Sequence, residues 1–163
     1  MSILCKPEFK SEVTRCFKIQ TLNHQGLFSG YASVFDIEDE QKDIIKPGAF
    51  RKSLETLERQ SRLPKMLWQH DANEPIGRWL FMEEDENGLY VEGQLILEVQ
   101  RASEAYALMQ SKAIDGLSIG YRVHESFKDR SLQTRHITKL ELFEVSLVTF
   151  AANPAARIMN VKR

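Results

Sequence analysis

Cysteine is scarce in this chain: Cys5 and Cys16 are the only two in 163 residues. They lack Cys-x-x-Cys spacing and no histidine is placed to complete a zinc site, so free thiols are expected, with neither a disulfide framework nor a metal centre. No apolar run approaches the roughly 20 residues of a membrane-spanning helix, and a membrane is not an expected partner. Neither sign of charge dominates. Twenty-two Lys and Arg stand against 23 Asp and Glu, a net charge of -1. No basic block stands out that could track a phosphate backbone, so nucleic acid is not an expected partner either. The first ten residues carry Lys6, Glu8 and Lys10 where a secretory signal needs its apolar segment, which makes the cytoplasm the expected compartment.

What is present suits one soluble globular domain. The chain is 42% hydrophobic and 28% charged, and a fold of this length buries roughly 68–70% of its unfolded surface without needing disulfides or metal. Residues 1–15 have no clear period and read as a lead-in, residues 16–156 as the domain, and residues 157–163 as a small basic tail. Phe17 to Gln20 alternates apolar and polar, Asn23 to Gly26 supplies a turn, and Leu27 to Phe35 extends again, which predicts a hairpin. After the acidic stretch Asp36 to Asp43, Pro47 suits a first helical turn. Phe50, Leu54 and Leu57 then recur at helical spacing within Gly48 to Gln60. Lys65 to Gln69 reads as a short strand and Asp71 to Pro75 as a turn. Ile76 to Glu83 and Leu89 to Leu97 form a hairpin about Asn87-Gly88. Gln100 to Lys112 predicts a second helix, stopped by Asp115-Gly116. Leu117 to Val123 alternates as a strand, Lys128 to Arg135 is a polar connection, and Ile137 to Phe150 is apolar-rich. Short strands with two helices and no repeated βαβ rhythm point to an α+β fold, an antiparallel sheet or barrel with helices packed outside it.

Three positions could carry chemistry. His70 ends an apolar strand before a turn, where active-site residues are often found, although a capping or surface histidine looks the same in sequence. Ser118 lies between Gly116 and Gly120, which leave its face uncrowded so that a substrate backbone could come close; a serine merely tolerated between structural glycines is the plain reading. Glu144 shares a strand face with Leu142, Ser146 and Val148, where a carboxylate is costly without a partner. Arg122 or Arg135 could supply one. Ser146, on the same face, competes with Ser118 as a nucleophile. His124 shares a face with Ser118, but six extended residues put it ~20 Å away, too far to act as its base. His24 and His136 could be ordinary exposed residues, and His136 stays open as an orienting group.

Several short motifs occur in a fixed order: Gly30-Tyr-Ala-Ser-Val-Phe35, Pro47-Gly-Ala-Phe50, Leu67-Trp-Gln-His-Asp71 with Pro75-Ile-Gly77, Gly88-Leu89, Gly116-Leu-Ser-Ile-Gly-Tyr121 and Leu142-Phe-Glu-Val-Ser-Leu-Val148. Each alone is weak, whereas together they span most of the chain from about Phe17 to Ala156. In this arrangement the sequence resembles the caudovirus prohead maturation proteases of the HK97 type. The resemblance implies a fold similar to herpesvirus assemblin, a β-barrel with helices around it. It also implies a serine endopeptidase working in the host cytoplasm inside the assembling procapsid, where it trims the scaffolding segment of the major capsid protein precursor and often itself.

By the same resemblance His70 and Ser118 are the catalytic pair and Glu144 the third member. Assemblin uses a second histidine in that third place, and His136 is the rival for it. A histidine of unperturbed pKa ~6.5 is mostly neutral at pH 7 and can accept the serine proton, so the chemistry requires no metal or other cofactor. Oxyanion donors are not readable, and backbone N–H groups are the expectation. Self-association follows only by analogy with assemblin. Two other readings remain open: a catalytically inactive capsid-assembly scaffold or interaction module of the same fold, and a small-molecule esterase. Gly116-Leu-Ser-Ile-Gly120 meets the Gly-x-Ser-x-Gly pattern of esterases, but in the wrong context, because a helix precedes it and a strand follows.

Overall fold

The computed structural model describes residues 25–162. The strand expected at Phe17 to Gln20, both cysteines and His24 lie outside them. Ten elements follow in order: β1 (Leu27–Val34), β2 (Asp43–Ile45), α1 (Arg51–Arg59), β3 (Lys65–Trp68), β4 (Asp71–Glu84), β5 (Gly88–Leu95), α2 (Gln100–Gln110), β6 (Gly116–Asp129), β7 (Thr134–Val148) and β8 (Ile158–Val161). All eight strands belong to one sheet, ordered β2-β7-β3-β4-β5-β1-β8, with β6 on the other edge of β7.

Two features of the expected antiparallel barrel need correction. The sheet is mixed, because β2 and β3 both pair parallel to β7. It is also not closed into a barrel. The nearest approach to closure is the isolated bridge Gly116↔Arg157, beside which the Tyr31 N–H donates to Arg157 O at 3.1 Å. The helices are few, two among the described residues.

The parallel pairing has a simple origin. β2 lies against residues 135–137 and β3 against residues 144–147 on the same edge of β7, so the chain runs one way along that edge with α1 folded out between. Alternation reports which face a strand buries and not its pairing sense, so the sequence of these short strands carries no sign of it. The helix also occupies the gap that it creates. On that edge of β7, between its β2 and β3 pairings, the Leu140 N–H donates to Ala49 O at 3.1 Å and the Leu142 N–H to Ser53 Oγ at 2.9 Å. In the turn leading into α1, the Glu84 carboxylate accepts the N–H groups of Gly48 at 2.6 Å and of the N-cap residue Phe50 at 3.0 Å, next to the positive end of the helix dipole.

Phe28, Phe50, Met66, Ile76, Trp79, Leu117, Ile137 and Val145 belong to a single buried cluster drawn from nearly every element. Phe28 meets Trp79 edge-to-face at 5.5 Å between ring centroids. α2 adds Ala102, Ala105 and Met109 to the core, the spacing read from its sequence. β6 and β7 run beyond their apolar segments to form a long hairpin over residues the sequence suggested as a polar connection; there the ladder continues although most side chains are exposed. Ile158–Val161, in the expected tail, adds to the free edge of β1 as β8. Among the described residues no helix is long and apolar enough to cross a membrane.

Candidate active site

β3 and β4 are joined by two residues, Gln69 and His70, since Trp68 pairs directly with Asp71. Both have positive φ, +52° and +61°. Positive φ at both central residues marks the type I′ hairpin turn, which normally recruits Asn-Gly and is strained for larger side chains by about 1 kcal/mol or more each. Local bonds hold the strained pair. The Gln69 N–H donates to Leu147 O at 2.9 Å, and the Gln69 side chain donates to Thr149 Oγ1 at 2.7 Å while accepting the Thr149 N–H at 3.2 Å. The His70 N–H donates to Ser146 Oγ at 3.2 Å. β4 therefore begins at Asp71, inside the segment expected to be a turn. The chain does loop there, because Leu67 pairs with Pro75 and residues 72–74 have no partner on β3.

The turn directs the His70 ring toward the β6–β7 ladder. There Ser118 is paired with Ser146, and Gly120 with Glu144. His70 Nε2 lies 2.9 Å from Ser118 Oγ, and His70 Nδ1 lies 2.5 Å from Glu144 Oε1. An ionised carboxylate can only accept, so the proton of the neutral ring belongs on Nδ1 and Nε2 accepts from the serine hydroxyl. The other carboxylate oxygen, Glu144 Oε2, accepts the Ser146 hydroxyl at 2.6 Å. Ser118 is 6% exposed and the Glu144 side chain 13%, whereas the His70 side chain is 42% exposed. The hydrogen bond to Glu144 raises the His70 pKa above 6.5, against a smaller opposing effect of burial.

The three residues singled out in the sequence thus come together in one hydrogen-bonded line. Glu144 finds His70 as its partner, while Arg122 pairs with Glu141 and Arg135 with Asp43. His136, the rival for the third place, lies eight residues before Glu144 on β7, about 26 Å at the usual strand rise. Its ring stacks on Phe127 at 4.7 Å. His124 contacts Glu141 at 3.3 Å, remote from Ser118.

The reading of Gly120 requires correction. Its bare face does not stay open for a substrate, because a Cβ there would lie 2.3 Å from Glu144 Oε1. The missing side chain makes room for the carboxylate. Gly116 likewise accommodates the Val148 carbonyl, 2.7 Å from where its Cβ would stand. Sequence reasoning also missed Gln69 and the bridging position of Ser146. Both depend on the β3·β7 pairing, for which the sequence carries no periodic signal.

His70 and Ser118 open onto a cleft of about 320 Å³ whose far wall is the stretch from Ile37 to Asp43, with Tyr121, Asn153 and the 85%-exposed Phe150 completing it. That wall is anchored. The buried Asp43 carboxylate accepts Arg135 Nε at 2.7 Å and Nη2 at 2.5 Å, and the Tyr121 hydroxyl at 3.3 Å. Burial and the Asp43 and Asp39 carboxylates push the Tyr121 hydroxyl well up, so it stays protonated as a donor.

The chain is similar to several known proteins. The chain is 39% identical over 140 residues to the prohead protease of Enterobacteria phage HK97, a match that covers 85% of this chain and 61% of that one. It therefore spans about three fifths of that relative's length. Its fold is similar to the bacteriophage T4 capsid assembly protease, at TM-score 0.56 and 12% identity over 75% of this chain and 82% of that one. It is also similar to KSHV protease solved with a hexapeptide phosphonate inhibitor, at TM-score 0.53 and 15% identity over 82% and 64% of the two chains. The model of the caudovirus prohead serine protease family matches residues 15–163, nearly the whole chain, and the chain belongs to that family.

Proposed function

We propose that this chain is a serine endopeptidase that cleaves the scaffolding segment of the major capsid protein precursor, and itself, inside the assembling procapsid. The observation that carries the reading is the continuous line from Ser118 Oγ through the His70 ring to Glu144, with spacings of 2.9 Å and 2.5 Å. Such spacing supports the roles of nucleophile, base and orienting group, because each lies within hydrogen-bond reach of the next before any substrate arrives.

The chemistry follows from the proton positions. His70 Nε2 takes the Ser118 hydroxyl proton as Oγ bonds to the scissile carbonyl carbon and its π electrons move to oxygen. The imidazolium then formed is stabilised by Glu144 through Nδ1–H. As the tetrahedral intermediate collapses, the C–N bond breaks and Nε2–H protonates the departing amine, leaving an acyl group on Ser118. A water molecule, deprotonated by the same nitrogen, releases the acid and restores the hydroxyl. Family membership and the relatives' names support a capsid precursor as substrate.

The test is incubation of the full chain with its cognate capsid precursor. The wild type is expected to cut it, and Ser118→Ala and His70→Ala to leave it whole. Equal processing by both variants overturns the reading. A wild type that binds the precursor without cutting it establishes the inactive assembly module instead.

A further inference from the structure

Ser146 brings a second serine hydroxyl to Glu144 and His70, and the proposed mechanism gives it no role. Its side chain is fully buried at 0% exposure, yet Oγ is fully engaged. It donates to Glu144 Oε2 at 2.6 Å and accepts the His70 backbone N–H at 3.2 Å. No imidazole nitrogen faces it, since His70 Nε2 is turned to Ser118 and Nδ1 to Glu144. It is therefore not a second nucleophile. We propose that Ser146 is a positioning residue that locks the Glu144 carboxylate and the strained His70 turn to each other. The inference rests on the triad reading above and extends it.

The argument concerns degrees of freedom. Glu144 projects across the bare face of Gly120, and its last side-chain torsion is intrinsically soft, so its hydrogen bonds decide which oxygen faces the ring. With His70 as sole partner, either oxygen could face the ring or both could turn away. A 2.6 Å bond to Oε2 leaves Oε1 as the oxygen presented to Nδ1. On the other side, His70 sits at φ +61°, and the bond from its N–H to Ser146 Oγ ties the turn to β7, where Leu67 and Ser146 are ladder partners. One hydroxyl thus references base and carboxylate to a single point on the β6–β7 ladder, opposite Ser118.

Three variants of the full chain test this. Ser146→Ala and Ser146→Cys, the second keeping the shape but only a weak S–H donor, are expected to lower kcat on the capsid precursor about tenfold or more, the scale of one charge-assisted hydrogen bond. KM is expected within twofold of the wild type, and Ser146→Thr, which retains Oγ, to recover most of kcat. A second measurement needs no turnover: NMR titration of the His70 ring in the Ser118→Ala background. There the added Ser146→Ala is expected to move the His70 pKa down toward 6.5, because a freed carboxylate no longer holds the bond that raises it. An unchanged or raised His70 pKa overturns the proposal, as does a kcat within twofold of wild type in Ser146→Ala. If the wild-type chain does not cleave the precursor, the protease reading falls, and the titration still decides whether Ser146 positions the pair.

Discussion

At the scale of single residues, the balance between His70 and Glu144 sets the pH behaviour. As the proposed base, His70 must be neutral to take the serine proton, and the Glu144 hydrogen bond holds its pKa above 6.5. kcat/KM on a peptide spanning the cleavage site is therefore expected to rise with pH through a midpoint above 6.5. Stability runs the other way: a histidine with a raised folded-state pKa contributes fully below about 6.5, and that contribution is lost as pH climbs through the folded value. The contribution is small, because the ring is 42% exposed. Glu144→Gln removes the charge and lets the amide donate to Nδ1, favouring the wrong tautomer. The midpoint should move down and kcat should fall toward the ~10⁴-fold seen for the equivalent change in Ser-His-Asp proteases. A kcat within tenfold of wild type, measured by initial rates, would remove Glu144 from the triad. Gly120→Ala attacks the same carboxylate by volume. Its Cβ needs the space of Oε1, so kcat should drop sharply, and stability by chemical denaturation should fall by about 1–3 kcal/mol, the scale of forcing extra volume into a packed site.

At the scale of elements, α1 is the piece whose loss would reach the site indirectly. Glu84, contributed by β4, fixes the turn into the helix through the N–H groups of Gly48 and Phe50, and the helix in turn covers the edge of β7 that no strand occupies between β2 and β3. Glu84→Ala should cost about 1–2 kcal/mol in urea denaturation, the range for losing a helix-terminal acceptor that carries charge. Full retention of stability would mean that water replaces the carboxylate without loss. Legibility in the sequence divides along these lines. Amphipathic spacing located both helices, since Phe50, Leu54 and Leu57, then Ala102, Ala105 and Met109, repeat over enough turns to be unambiguous. The longer strands announced themselves by alternation, as in Leu117 to Val123, by the Asn87-Gly88 turn between β4 and β5, or, for β7, only as the apolar-rich run from Ile137. β3 was legible as the short strand Lys65 to Gln69, but the three residues of β2 were not, and nothing in either marked its parallel pairing with β7. His70, Ser118 and Glu144 were legible as residue types and through family motifs. Ser146 was visible only as a rival nucleophile, because the register that turns it toward Glu144 is a tertiary fact.

At the scale of the whole molecule, the site is assembled across a seam. His70 comes from the β3–β4 hairpin, while Ser118, Glu144 and Ser146 come from the β6–β7 hairpin, and the two meet along the parallel pairing of Lys65–Trp68 with residues 144–147. A four-residue ladder is a weak clasp by itself. What makes the seam permanent is the core beneath it, where Met66 and Trp79 from one side pack in the same buried cluster as Leu117, Val145 and Leu147 from the other. Separating the hairpins would expose that cluster, so the site should not open before the fold does. The two tryptophans report the two places: Trp79 is 4% exposed in the core, and Trp68 is partly buried at the seam beside Arg101, 5.7 Å from its guanidinium. In a urea titration of the full chain, residual proteolytic activity, far-UV circular dichroism and the fluorescence of Trp68→Phe and Trp79→Phe variants, each referred to its own circular dichroism, are expected to share one midpoint. Trp68 fluorescence and activity lost together at lower urea, with Trp79 and circular dichroism still native, would show that the clasp opens separately and that the geometry of His70 and Ser118 depends on the short ladder rather than on the common core.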